Sequence, residues 1–367
     1  MNSQHPAPHE VEISVFGPGL GECLVIHVGD GDWVVVDSCR DRATGRPVAL
    51  DYLRTLNVDI GNRVKMIVAS HWHDDHINGL DELLSEARNA RFVNSAAHEL
   101  KDIVRLTQLS AKTPLASATR TYDKILQILQ ARQLAGERRA AVGPVLAGAN
   151  KTLLSLTSPG RLVQAEMFSL SPSDGVMHLA KQETATALAA VQQQRRPVRQ
   201  QANQLCIVLL LKFAHFSALL GADLENATGI TEGWNAIIHS QERPQGTSAF
   251  FKIPHHGSGN AHADGCWTHL LSPNPIAVVT PYSCSRLPRK ADIERICGNT
   301  SLAYITSEPA NAGVPRRSNM VDKTLRNIVI DRRVLTTKMG QVQCRFDASS
   351  PHLTPVVEVH NGARNLP

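Results

Sequence analysis

The strongest constraint on this chain is the string His71-Trp72-His73-Asp74-Asp75-His76, which follows directly on the apolar run Val64–Ser70. That run reads as a buried strand. A buried strand that empties into three histidines and two aspartates must end at an edge of the fold, with the loop carrying the polar groups. Neutral imidazole and carboxylate are the ligands that zinc and similar divalent ions accept. In an extended loop His71 and His73 project to one side and can share one ion. Asp75 and His76 are then placed to reach a second.

The surrounding pattern is α/β. Residues 11–39 read as three short strands, VEISVFG, ECLVIHVG and DWVVVDSC, with a turn signal at Asp30-Gly31. Residues 48–57 and 81–90 read as helices, and 99–140 carries a helical pattern. Two short strands are expected near 151–170. Residues 205–223 read as a hairpin turning at Ala214-His215. AFFKIP, PIAVVTPY and SLAYITSE are further strands, with a helix between the last two. Residues 325–360 alternate as extra β-structure does. Strands mixed with helices throughout, without a dividing linker, give one α/β unit.

Asp223 ends the apolar strand FSALLGA, where an unpaired carboxylate is costly to bury and a metal ion would offset that cost. Lys252-Ile253-Pro254-His255-His256-Gly257-Ser258 places two more histidines at a strand end. Gly257 suits a sharp bend or a close phosphate approach. Asp37, at the end of DWVVVD, suits a turn.

Composition narrows the class. Seven cysteines, odd in number and without a Cys-X-X-Cys pair, read as reduced thiols of a cytoplasmic protein. The N-terminal ten residues lack the basic start and apolar core of a secretory signal. The most apolar stretch, 205–223, is broken by Lys212 and His215 and makes a poor membrane span. A net charge of +5 is compatible with an anionic substrate without demanding one.

Taken together, these elements resemble the metallo-β-lactamase superfamily. SVFGPGLGECLVIHVGDGDWVVVDSC is similar to the "DVGQGD…iLiDtG" opening of its ComEC-like branch, which includes the hydrolase domain of bacterial DNA-uptake channels. Leu220–Asp223 is similar to "LLTGD", and Lys252–Ser258 to "KvPHHGS". Glu22 stands where that branch has Asp. The resemblance implies an αββα sandwich with a hydrolase domain over 11–310, a helical or loop insertion at 99–200, and a C-terminal β extension over 311–367. It implies two divalent ions, zinc first and manganese second. His71 and His73 would hold one ion, Asp75 and His76 the other, and Asp223 would bridge them. One of His255 and His256 would complete the centre and the other would face a substrate phosphate. Asp37 would support the loop. A further metal histidine is expected before Asp223, with His98 and His178 as the candidates.

The implied chemistry is hydrolysis by a metal-activated hydroxide, with Asp75, His255 and His256 as catalytic residues. The ComEC-like elements tilt the substrate toward phosphodiesters, DNA before RNA. Residues 286–333 carry ten basic against five acidic residues. Ser258, Arg286, Arg289, Lys290, Arg316 and Arg317 are therefore candidate phosphate contacts. Stand-alone relatives accompany bacterial defence operons, which implies a regulatory protein partner. The alternatives are a small-molecule phosphodiesterase or esterase with the same centre, or a non-catalytic metal-binding subunit.

Overall fold

A computed structural model describes residues 4–97, 116–136, 143–192, 202–308, 339–350 and 354–367. Two eight-stranded mixed sheets face each other. The first is built on β1 (Glu10–Gly17), β2 (Cys23–His27), β3 (Trp33–Val36), β4 (Val64–Val68), β5 (Arg91–Ser95) and β6 (Val145–Ala147). The second is built on β7 (Lys151–Leu156), β8 (Ala165–Ser169), β9 (Leu209–Phe213), β10 (Ser217–Leu220), β11 (Ser248–Lys252), β12 (Leu271–Val279) and β13 (Ala303–Ile305). Three late strands finish both sheets. β14 (Gly340–Asp347) pairs with β1 over eight residues, β15 (Val356–His360) lies outside β14, and β16 (Arg364–Asn365) lies outside β13.

The period of two along each strand sorts side chains between two apolar faces. Val34, Val36, Met66 and Val68 point into the inter-sheet core, where they meet Leu209, Leu211, Phe250 and Val278. Trp33, Val35 and Ile67 point outward beneath the helices Val48–Thr55, Leu80–Glu86 and Ala116–Leu134. The outer face of the second sheet is covered by the helices Gly233–Ile238, Asp264–His269 and Lys290–Asn299, through Trp234, Phe251 and Ile296. The result is the four-layer αββα sandwich that the resemblance implied.

The two halves repeat one scheme. An antiparallel hairpin (β2–β3, β9–β10) leads into parallel strands (β3–β4–β5, β10–β11–β12). The C-terminal ends of these parallel strands meet at one edge, which is where open α/β sheets carry ligands. Within 99–200, β6 extends the first sheet and β7 and β8 extend the second, so this stretch builds both sheets. The strands of the C-terminal 28 residues are likewise sheet members. Among the described residues no helix is long and apolar enough to cross a membrane.

Candidate metal centre

Five strand ends supply the centre. Asp37 follows β3, the His71–His76 string follows β4, Asp223 follows β10, His256 follows β11 and Thr280 follows β12. Several of these positions have left-handed backbone: Asp37 at φ 59, Ala222 at φ 44, His255 at φ 45 and His256 at φ 54. Non-glycine residues adopt this region at a cost, and such outliers concentrate at functional sites.

Asp223 stands between two groups of histidines. Its Oδ1 is 3.4 Å from His76 Nε2, and its Oδ2 is 3.7 Å from His256 Nε2 and 4.0 Å from His71 Nε2. Asp75 Oδ2 lies 3.4 Å from His256 Nε2 and 3.8 Å from His76 Nε2. His73 Nδ1 is 3.1 Å from His71 Nε2. His71, His73 and Asp223 thus make one potential ligand set, and His76, His256 and Asp223 belong to another.

The inner nitrogens are aimed from behind. His76 Nδ1 bonds Asp37 Oδ2 at 2.7 Å, and His256 Nδ1 bonds the Thr280 carbonyl at 3.0 Å. A carbonyl only accepts, so His256 carries its proton on Nδ1 and turns Nε2 to the centre. Asp37 also receives the Ser70 amide and hydroxyl, each at 2.7 Å. With its proton given to Asp37, the Ser70 hydroxyl accepts from His71 Nδ1, 3.0 Å away, which leaves His71 Nε2 bare. Among the described residues three inward atoms, His76 Nε2, Asp223 Oδ1 and His256 Nε2, are buried without a hydrogen bond of good geometry, their nearest polar contacts being 3.4 Å long. Orphaned buried polar atoms are rare in folded proteins, and divalent ions would satisfy all three. The residues present therefore fit such ions.

Electrostatics agree. Burial pushes His71 well below the ordinary imidazole value, helped by His76 and His73, so it is neutral as a ligand must be. Burial alone would lower His76 and His256 as well. For His76 the carboxylates of Asp223, Asp75 and Asp37 outweigh burial and raise it well above its usual value. Asp223, Asp75 and Glu22 do the same for His256. Conversely, burial would raise Asp223, but His76 and His256 hold it well below the usual carboxylate range. Three buried carboxylates, Glu22, Asp37 and Asp223, and the half-buried Asp75 face, among the described residues, one ammonium, that of Lys252. Two divalent ions would over-neutralise this set by one charge and leave room for one anion.

His255 and His256 separate. His256 faces the centre, with Tyr282 stacked on its ring at 4.9 Å and 17°. His255 has protein partners at both nitrogens: Nδ1 meets Asn260 and Glu225, each at 3.2 Å, and Nε2 meets Asn203 at 3.3 Å. It braces three loops and turns neither nitrogen toward an open site. Ser258 is half-buried one turn beyond. Arg286 and Arg289 are exposed on the loop that leaves Tyr282, and the exposed Lys290 opens the helix that follows it. Arg316, Arg317 and His98 lie outside the described residues. His178 is exposed and bonds Gln182, away from the centre. Trp72 packs beside Val176 and Ala180, so the helix Asp174–Gln192 walls one side of the metal loop.

Glu22, Lys252, Thr280 and Tyr282 have no role in the sequence reading, yet all four adjoin the centre. The available signals were a lysine inside the apolar strand AFFKIP and a carboxylate opening the apolar strand ECLVIH. Both Lys252 and Glu22 are fully buried.

One family model matches part of the chain, and two solved structures show distant likeness. Residues 16–111 match the family model described as the Metallo-beta-lactamase superfamily. A CmlA beta-hydroxylase mutant aligns at 16% identity over 72% of this chain, with a TM-score of 0.35, and the alignment spans 38% of that chain. MEM-A1, a subclass B3 metallo-beta-lactamase isolated from a soil metagenome library, aligns at 13% identity over 64% of this chain and 67% of its own, with a TM-score of 0.30. No curated protein matches the chain. The matched segment 16–111 contains Glu22, Asp37 and the whole His71–His76 string, so the likeness to the metallo-beta-lactamase superfamily covers the first half of the centre, and the two mixed sheets with flanking helices are consistent with that fold.

Proposed function

We propose that this protein is a metal-dependent phosphodiesterase of the ComEC-like kind that acts on nucleic acid, DNA before RNA, with zinc or manganese in the centre. The observation that carries this reading is the shared position of Asp223 between two histidine groups, with three buried inward atoms lacking a hydrogen bond of good geometry. His71, His73 and Asp223 would hold one ion, and Asp75, His76, His256 and Asp223 the other. Divalent ions at such a site supply Lewis acidity and lower the pKa of water toward about 7. The chain's own residues do the rest. Asp37 and Thr280 fix the His76 and His256 rings. Asp75, whose side chain is 14% exposed, reaches solvent and can accept a proton from an incoming water at Oδ2. Tyr282 covers the His256 ring on the side of the basic loop. That loop and the helix start beyond it, with Arg286, Arg289 and Lys290 exposed after Tyr282, give the phosphodiester reading its electrostatic support.

Digestion of labelled linear DNA, circular DNA and RNA across zinc, manganese and magnesium tests the proposal. Cleavage that disappears in Asp75→Ala is the expected result. Turnover of a small phosphodiester without cleavage of any polymer would favour the small-molecule alternative.

A further inference from the structure

We infer that Glu22 is a positioning residue that ties the two halves of the metal centre together. The inference rests on the metal-centre reading above. Its ground is a chain of contacts that converge on one buried side chain. Glu22 Oε2 accepts from Lys252 Nζ at 2.7 Å and from Thr280 Oγ1 at 2.5 Å. Thr280, 258 residues away in sequence, receives His256 Nδ1 on its carbonyl at 3.0 Å, with its hydroxyl oxygen 3.3 Å from the same nitrogen. On the other side, the Glu22 amide donates to the Asp75 carbonyl at 3.0 Å. The carboxylate also lies 3.9 Å from the Nδ1 atoms of both His76 and His256, behind the rings. One residue thereby holds the metal-loop backbone with its main chain and the His256 support with its side chain.

The arrangement is paired with that of Asp37. Asp37 orients His76 directly from the first half, while Glu22 orients His256 through Thr280 across the gap between sheets. The ligands affected are those of the ion between His76 and His256. His71 takes its support at Nδ1 from Ser70 and, among the described residues, shares no hydrogen-bond partner with Glu22. A buried ion pair that merely held the sheets would affect both ions alike or neither. A positioning residue affects one ion selectively.

The test is a Co2+ titration of metal-stripped protein against a chelating indicator, with the visible spectrum recorded. Wild type is expected to take two equivalents. Glu22→Gln with Lys252→Met removes both buried charges together and should melt close to wild type when metal-free. It should keep one equivalent and bind the other about 10–100-fold more weakly, the usual loss when the partner behind a metal ligand is removed. The spectrum of the weakened equivalent should change with it. Should the pair variant fail to fold, Thr280→Val leaves the Glu22–Lys252 pair and the Thr280 carbonyl intact, removes the hydroxyl that joins Glu22 to the His256 support, and carries the same expectation. Unchanged affinities in a folded variant, or equal weakening of both equivalents, would overturn the tie. Wild type that takes up no metal would remove the metal-centre reading and the tie with it, a result visible before any variant is made.

Discussion

At the scale of single residues, the centre is a competition between protons and metal. The carboxylates that raise His76 and His256 keep both rings protonated above the usual imidazole value of about 6.5 in the metal-free protein. Bound ions must displace those protons. The sign follows directly. A histidine whose folded value is raised stabilises the metal-free fold at low pH, and that contribution is lost as pH rises through the raised value. The metal-loaded protein runs the other way, because affinity grows as the rings deprotonate. Above about pH 7.5 the lowered histidines His27, His71, His262 and His360 are neutral in both folded and unfolded states, so melting curves from there to about pH 9 should show the metal-free protein losing stability with rising pH while the gain from added zinc increases. A zinc-induced gain that is flat with pH would mean that these histidines are not ligands. The pair His255-His256 shows what only coordinates reveal at this scale. Two identical side chains, both left-handed, take opposite roles because the backbone turns one ring inward and the other toward Asn203, Glu225 and Asn260.

At the scale of elements, the turn between β1 and β2 decides how closely the metal loop is held. Gly21 has φ +119, and a Cβ there would lie 2.7 Å from the Asp75 carbonyl and 3.0 Å from Cys39 Cβ. Only glycine lets the Glu22 amide reach Asp75. Gly21→Ala should cost roughly 1–3 kcal/mol of stability and loosen metal binding. Gly45→Ala is the control, because Gly45 is also left-handed at φ +71 but its Cβ would meet nothing within 4 Å. Chemical denaturation of both variants, with metal content measured alongside, separates backbone strain from the clash on the loop. Equal metal retention in the two would show that the close approach is unimportant. Strands with clear alternation or a dense apolar run, β1 to β4 and β9 to β12, were legible in sequence. So were the loop residues that the fold gathers: His71, His73, Asp75, His76, Asp223 and His256. β5 was not, because RFVNS is short and merges with polar neighbours. The helices Gly233–Ile238 and Asp264–His269 have six residues each, too few to display a helical period. Glu22 and Thr280 escaped because their meaning lies in a contact between distant segments.

At the scale of the whole molecule, the sandwich closes with its last strands. β14 reads in sequence as part of an appended extension, yet Glu10 pairs with Asp347 and Gly17 with Gly340. No local pattern encodes a partner more than 300 residues away. Val342, Cys344 and Phe346 are all 0% exposed in the inter-sheet core. At about 1.5–3 kcal/mol for each large apolar side chain buried, this strand alone contributes an amount comparable with a typical domain's total stability of about 5–15 kcal/mol. Deleting residues 340–367 should therefore yield aggregated protein, with β1 left as an open edge. A soluble monomer on size-exclusion chromatography that still binds metal would contradict this.

The split of the centre between the two halves also has a consequence in time. The proposed ligands at residues 71–76 are made long before Asp223 and His256, which are 147 and 180 residues later than His76. At about 5–20 residues per second, roughly ten to forty seconds of synthesis separate His76 from His256. Through that interval the nascent chain presents half a binding site, able to catch an ion but not to enclose it. Firm capture waits for β10 and β11 to dock against the first sheet. With the ligand set proposed above, an ion held firmly is a record that the second half has arrived.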